Sequence, residues 1–200
     1  MTALSDQCEV IRGWLNLGSD VYPDSVVTSW IRMTEEKLSK ELRCKDMIQI
    51  DVGTLIDQRY LLPADWRAMD FVRIIGGVPL RYVPRDDFCN PDYAEDQSKV
   101  YTMTGNYIIT GAGGTATQVE ISYYQDIPPL GDTATWLLTK YPTVFLVTTL
   151  HFASMYAVED ERGSMWSSEA DTLIGDINVE HQLSKASGSR LTQRHRRSFG

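Results

Sequence analysis

The sequence predicts an α+β fold. Amphipathic helices at both ends pack as a helical bundle, a small antiparallel β-sheet is inserted between them, and a disordered or extended tail closes the chain. Three observations point there. Apolar residues repeat at threes and fours near both ends, and short alternating segments punctuated by glycine fill the middle. From Lys185 to Gly200 the chain carries Lys185, Arg190, Arg194, Arg196 and Arg197 and no acid. Strand–helix–strand alternation does not occur, which argues against a doubly wound sheet.

The elements follow in order. Ser5 is a candidate N-cap for a first helix over 5–17, with Cys8, Ile11 and Leu15 at helical spacing. Pro23 suits a first-turn position. Val26, Val27, Trp30, Ile31, Leu38 and Leu42 then line one face of a helix over 23–44, opposite Glu35, Glu36, Lys40 and Glu41. The β insertion is expected over 46–126. Met47–Val52 alternates, Gly76-Gly77 and Gly105-Asn106 mark hairpin turns, and 86–98 reads as a loop with at most one helical turn. Thr117–Tyr124 is the clearest strand, with Val119, Ile121 and Tyr123 against Glu120 and Ser122. Pro128-Pro129 stops the sheet, and Asp132 or Thr133 can cap helices over 132–178. Residues 1–180 thus form one domain, and 181–200 form a basic tail expected to be disordered in the free chain.

Composition narrows the function. The chain has 200 residues, 42% hydrophobic and 23% charged, with a net charge of -8. Five positive charges in the tail leave -13 on the rest, an acidic body unsuited to gripping phosphates. Cys8, Cys44 and Cys89 are few and scattered, so they are expected as free thiols. The start of the chain lacks a basic and apolar leader, and the apolar run near 144–158 is too polar to span a bilayer.

Motifs that could carry chemistry have plainer readings. Gly111–Ala116 satisfies a dinucleotide pattern, but β-branched residues follow where a helix is needed, so a hairpin turn is expected. His151 has no nucleophile elbow near it and reads as a partly buried helix residue. His181 and His195 stand singly, and no spacing suits a metal. Glu159-Asp160-Glu161 lacks the alternating oxygens of a calcium loop. No metal and no cofactor is expected. Trp14, Trp30, Trp66, Trp136 and Trp166 divide between core and interface in a way that sequence alone leaves open.

Three stretches together resemble the head-to-tail adaptor (connector, or tail accessory) proteins of tailed bacteriophages. They are Trp30–Arg43 with Asp46-Met47, then Leu62–Trp66 followed by Pro79–Val83, and most specifically Ser122–Leu130 followed by Thr135–Pro142. The resemblance covers roughly 5–177. It implies a structural, non-enzymatic virion protein that forms a ring, dodecameric by analogy. Such a ring binds the portal, extends the DNA channel and offers a platform to the tail nozzle or other tail proteins. Genomic DNA would pass through its lumen without specific binding, and no membrane is involved. The protein would occupy the virion neck after assembly in the host cytoplasm. Under this reading Lys185, Arg190, Arg194, Arg196, Arg197 and Phe199 form a portal-docking tail, and Trp30, Arg43, Trp66, Trp136 and Tyr141 are candidates for the subunit interface. The sequence departs from the family after Phe145, where Thr148, Thr149, His151 and Ser154 replace a more alanine-rich helix. Two other readings stay open. One is a tail-associated cell-wall hydrolase drawing carboxylates from Glu120, Asp126, Glu159 or Glu161. The other is a DNA-binding accessory protein acting through the basic tail.

Overall fold

The computed structural model describes residues 2–16, 19–90, 96–111, 117–157 and 160–187. The chain divides into a helical unit, residues 1–45 with 130–200, and a β unit, residues 46–129.

The helical unit holds α1 (Ala3–Leu15) and α2 (Asp24–Glu41), and later α4 (Trp136–Lys140), α5 (Pro142–Tyr156) and α6 (Asp160–Ser187). Thr2, rather than Ser5, caps α1, and Ser5 returns a bond to complete a capping box. The first amides of α1 also find partners far along the chain. Ala3 donates to the carbonyl of Asp132 and Leu4 to that of Gly131, each at 3.0 Å. The same returning segment is clipped to α2. The amide of Leu130 donates to buried Glu35 at 2.5 Å, Arg32 donates to the Leu130 carbonyl at 3.0 Å, and Arg32 pairs with Glu35 at 2.8 Å. Both polar groups of a fully buried residue are thereby satisfied by side chains one helical turn apart.

Helix α2 ends at Glu41, where Asn178 of α6 receives the Arg43 amide at 2.6 Å and donates to the Glu41 carbonyl at 2.9 Å. The final helices come in three pieces, and α4 parts from α5 because Tyr141 leaves helical geometry before Pro142. Thr135 caps α4, in place of the expected Asp132 or Thr133. Helix α5 is buried on nearly all sides. Its polar residues are core residues: Thr149 donates to Phe145 at 2.7 Å and receives Thr34 at 3.1 Å, and Ser154 donates to Leu150 at 2.9 Å. The polar stretch 148–154 therefore lies mostly inside the helical unit. Helix α6 continues through Ser187, into the segment expected as tail.

The β unit corrects the expected fold class. It is not a small antiparallel insertion in a helical bundle, but a seven-stranded, mixed, nearly closed barrel with its own core. Its strands are β1 (Ile48–Thr54), β2 (Arg59–Leu61), β3 (Trp66–Ile74), β4 (Pro79–Tyr82), β5 (Val100–Thr104), β6 (Tyr107–Thr110) and β7 (Gln118–Gln125), with the one-turn helix α3 (Arg85–Phe88) between β4 and β5. They run in the order β1-β7-β3-β4-β5-β6-β2. Strands β4 and β5 pair in parallel, with Arg81 opposite Val100. The stretch expected as a loop over 86–98 is thus part of a crossover, which a parallel pair requires. Gly76 and Gly105 take positive φ of 84° and 57° in the two expected hairpins.

Curvature comes from two register shifts in β3, between Trp66 and Ala68 and between Met69 and Phe71. The sheet ends, β1 and β2, are then brought together by a two-residue turn. Ile56 and Arg59 exchange backbone bonds of 2.9 Å, while Asp57 and Gln58 adopt φ of 50° and 62°. Tyr60 of β2 lies so close over Gly53 of β1 that no side chain fits there, and its hydroxyl donates to Asp51. Tyr123 of β7 donates to Asp65 at 3.1 Å. Leu55, Tyr60, Val72, Tyr101, Ile108, Val119, Ile121 and Tyr123 belong to the core beneath.

Burial, reinforced by the carboxylate each hydroxyl serves, pushes Tyr123 up to about 12 and Tyr60 higher still. An unfolded tyrosine titrates near about 10, so the unfolded chain releases these protons first. The stability they contribute is complete below about pH 10 and is lost as pH rises through about 12. Guanidinium titrations across that window are expected to show falling stability. Tyr60→Phe with Tyr123→Phe should flatten the fall, while losing about 1–3 kcal/mol at neutral pH. Equal slopes for the two proteins would contradict the role of these hydroxyls.

Candidate functional site

The residues expected to form interfaces each make contacts within the fold, Trp30 buried and the other four half-buried. Trp30 is only 2% exposed and packs edge-on against Tyr22 at 5.0 Å. The guanidinium of Arg43 turns back onto the carbonyls of Ser39 and Leu42 at the end of α2, a common use of a cation at a helix C-terminus. Trp66 packs partly buried against the β-unit core, and Trp136 meets Tyr141 edge-on at 6.4 Å. The indole nitrogens of Trp66 and Trp136 are buried without a hydrogen-bond partner among the described residues. Lys185 lies in the last turn of α6, whereas Arg190, Arg194, Arg196, Arg197 and Phe199 lie outside the described residues.

In the β unit, both carboxylates of the hydrolase reading face an arginine. Glu120 pairs with Arg73 at 2.8 Å and Asp126 with Arg67 at 3.5 Å. Glu161 is exposed on α6 of the other unit, and Glu159 lies outside the described residues. His151 sets Nδ1 3.1 Å from the Gly163 carbonyl oxygen, a contact that ties α5 to α6. After Gly111 the chain enters β7 at Gln118, not a helix, so the dinucleotide pattern lacks its phosphate-binding terminus; residues 112–116 lie outside the described residues. Among the described residues no group of three or more His, Cys, Asp or Glu could hold a metal ion. No described helix is long and apolar enough to cross a membrane.

What the structure offers instead is surface. The end of α1, the start of α2, the end of α5 and the start of α6 converge at one end of the helical unit through aromatic contacts. Trp14 meets Trp166 edge-on at 6.3 Å, and Tyr156 meets Tyr22 at 6.1 Å and Trp30 at 5.6 Å. Arg12 fixes the α1–α2 corner by donating to the Tyr22 carbonyl at 2.9 Å and pairing with Asp24. Yet Trp14 and Tyr156 are each 60% exposed, and Val21, Met155 and Met165 beside them are also exposed. Aromatic and methionine side chains left in water as a group mark a contact surface. Trp14 and Trp166 were in view in the sequence, but what left Trp14 outside was the packing of four helix ends.

The β unit has a second such region. An open groove of about 650 Å³ runs past the turn that joins β1 to β2, lined by Thr54, Ile56, Asp57, Arg59, Tyr60, Leu61 and Tyr107. Ile56, at the tip, is 74% exposed.

A chain with two apolar contact surfaces and no assembled reactive centre among its described residues fits an assembly protein. Residues 2–197 match the SU10 adaptor protein family. The chain belongs to that family of phage head-to-tail adaptors. No curated protein matches it. Membership gives the adaptor a structural role in a phage virion, in contact with other virion proteins.

Both Trp14 and Tyr156 project into solvent, so Trp14→Ala with Tyr156→Ala should shift the melting temperature by only a few degrees. Phage carrying the pair is expected to fill heads but to give roughly tenfold fewer infectious particles. An undiminished yield would remove this surface from assembly.

Proposed function

We propose that the adaptor forms a ring, dodecameric by analogy with its family, that binds the portal, extends the DNA channel and carries the tail nozzle or later tail proteins. The family match over nearly the whole chain is the observation that carries this reading. The chemistry is consistent with it. An acidic body lets DNA slide past without sticking, since phosphates are repelled. A closed ring of identical subunits needs two different complementary faces, and each unit has its own exposed apolar surface. Subunits add to the portal, and the basic segment from Lys185 onward, with Arg190, Arg194, Arg196, Arg197 and Phe199, latches onto it. The protein then resides in the neck of the virion after assembling in the host cytoplasm.

The latch is tested by deleting residues 185–200 and sedimenting the product with purified portal rings. The shortened chain is expected to stay folded by circular dichroism and to lose portal binding by tenfold or more, roughly the effect of removing a central anchor. Unchanged binding would sink the latch. If the full chain instead bound duplex DNA with steep salt dependence through the same arginines, the accessory DNA-binding reading would replace this one.

A further inference from the structure

Helix α6 has two apolar faces, and among the described residues only one is covered. Ala170, Ile174, Ile177 and His181 are buried toward the rest of the helical unit. At helical spacing, Met165, Val179 and Leu183 fall on the opposite side, and all three are exposed, Leu183 at 65%. Glu169 and Asp176 share that outer face and are exposed too, and exposed Glu180 flanks it, on the side where it lines a small pocket with Lys45 and Tyr141. From Gly163 to Ser184 the helix carries four acids and no Lys or Arg. One of these, Asp171, points elsewhere, toward Lys37 of α2 at 2.9 Å. The outer face is therefore a strip of alternating apolar and negative groups.

The chain itself contains a segment of matching chemistry. The thirteen residues after Ser187 carry four arginines, no acid, and the apolar residues Leu191 and Phe199. Length permits the match. From Ser187 back to Glu169 is about 27 Å of helix, and thirteen residues reach at most about 45 Å when extended. Gly188, between two serines, supplies residues suited to a reversal. Tethering favours the chain's own segment over that of a neighbour, because a short linker gives an effective concentration on the order of millimolar.

We propose that the outer face of α6 is a docking strip for the chain's own C-terminal segment, residues 188–200, with its arginines set against Glu169, Asp176 and Glu180. Docked this way, the segment covers the free apolar face of α6 and is withheld from other partners in the lone subunit. The proposal concerns the free chain and does not depend on what the segment meets in the virion.

Trypsin reads the docking directly, since it cuts after arginines only where they are free to enter its site. The full chain and a variant with Glu169→Gln, Asp176→Asn and Glu180→Gln would be digested without portal, and intact-mass measurements would follow cleavage at Arg190, Arg194, Arg196 and Arg197. At roughly 50 mM salt the wild-type segment is expected to be cut about tenfold more slowly than in the variant. At roughly 0.5 M salt the wild-type rate should rise to that of the variant, because screening removes the same charges without any mutation. Equal rates at low salt, or a wild-type rate indifferent to salt, would overturn the proposal. So would protection that grows with protein concentration, which would place the segment on a second copy. Failure here leaves the portal latch untouched, and failure of the latch leaves this result untouched.

Discussion

The helical unit depends on one buried carboxylate. Glu35 lies inside the fold, and its charge is tolerated because Arg32 and the Leu130 amide both donate to it. That arrangement holds the chain where it returns to the helices after 84 residues of β unit. With Leu130 held, Gly131 and Asp132 present carbonyls to the first amides of α1, and Thr135 begins α4 a few residues on. Three sequence-distant helices thus share one anchor. A buried charge so committed tolerates the loss of neither partner, because the survivor would remain desolvated and unpaired.

The β unit answers a different constraint. A sheet has two edges, and exposed edges invite pairing with other chains. Here β1 and β2 end the sheet on opposite sides yet are neighbours in sequence, and the Asp57-Gln58 turn folds one toward the other. Gly53 allows Tyr60 to approach, and Asp51 fixes the Tyr60 hydroxyl. The apolar tip this leaves at Ile56 is a by-product of closure that an assembly protein can use.

Local signals in the sequence carried the local structure. The apolar repeat of α2 was legible because its buried face, Val27, Trp30, Ile31 and Leu38, is set by helical period alone. The glycine hairpins were legible because positive φ selects glycine. Closure of the barrel was not, since it rests on the bulges near Arg67 and Asp70 and on the pairing of Tyr60 with Asp51, which no period encodes. The alternation read in β7 was partial for a similar reason: Ser122, expected on the outer side, is buried where it donates to Asp70 of the bulged strand. The polar stretch of α5 was read against the family's alanine-rich pattern. The hydroxyls of Thr149 and Ser154 bond to backbone one turn earlier, and Thr149 also meets Thr34, which suits them to a core; the buried Thr148 hydroxyl has no hydrogen-bond partner among the described residues. The exposed aromatic surface was the least legible part. Trp30 lies on the apolar face that the period of α2 sets, whereas Trp14 is left outside by the way four helix ends converge, which no period encodes.

These features describe a subunit built for contact. One end of its helices carries aromatic side chains in water, and its last helix carries an exposed apolar and acidic face. The proposed role is to join virion parts as many copies on one ring. Mass photometry of the purified chain, alone and mixed with the portal protein of its virus, tests it. A monomer alone, and a portal ring that gains many subunits in a single mixed species, is expected. A portal ring that keeps its own mass at saturating chain would contradict it.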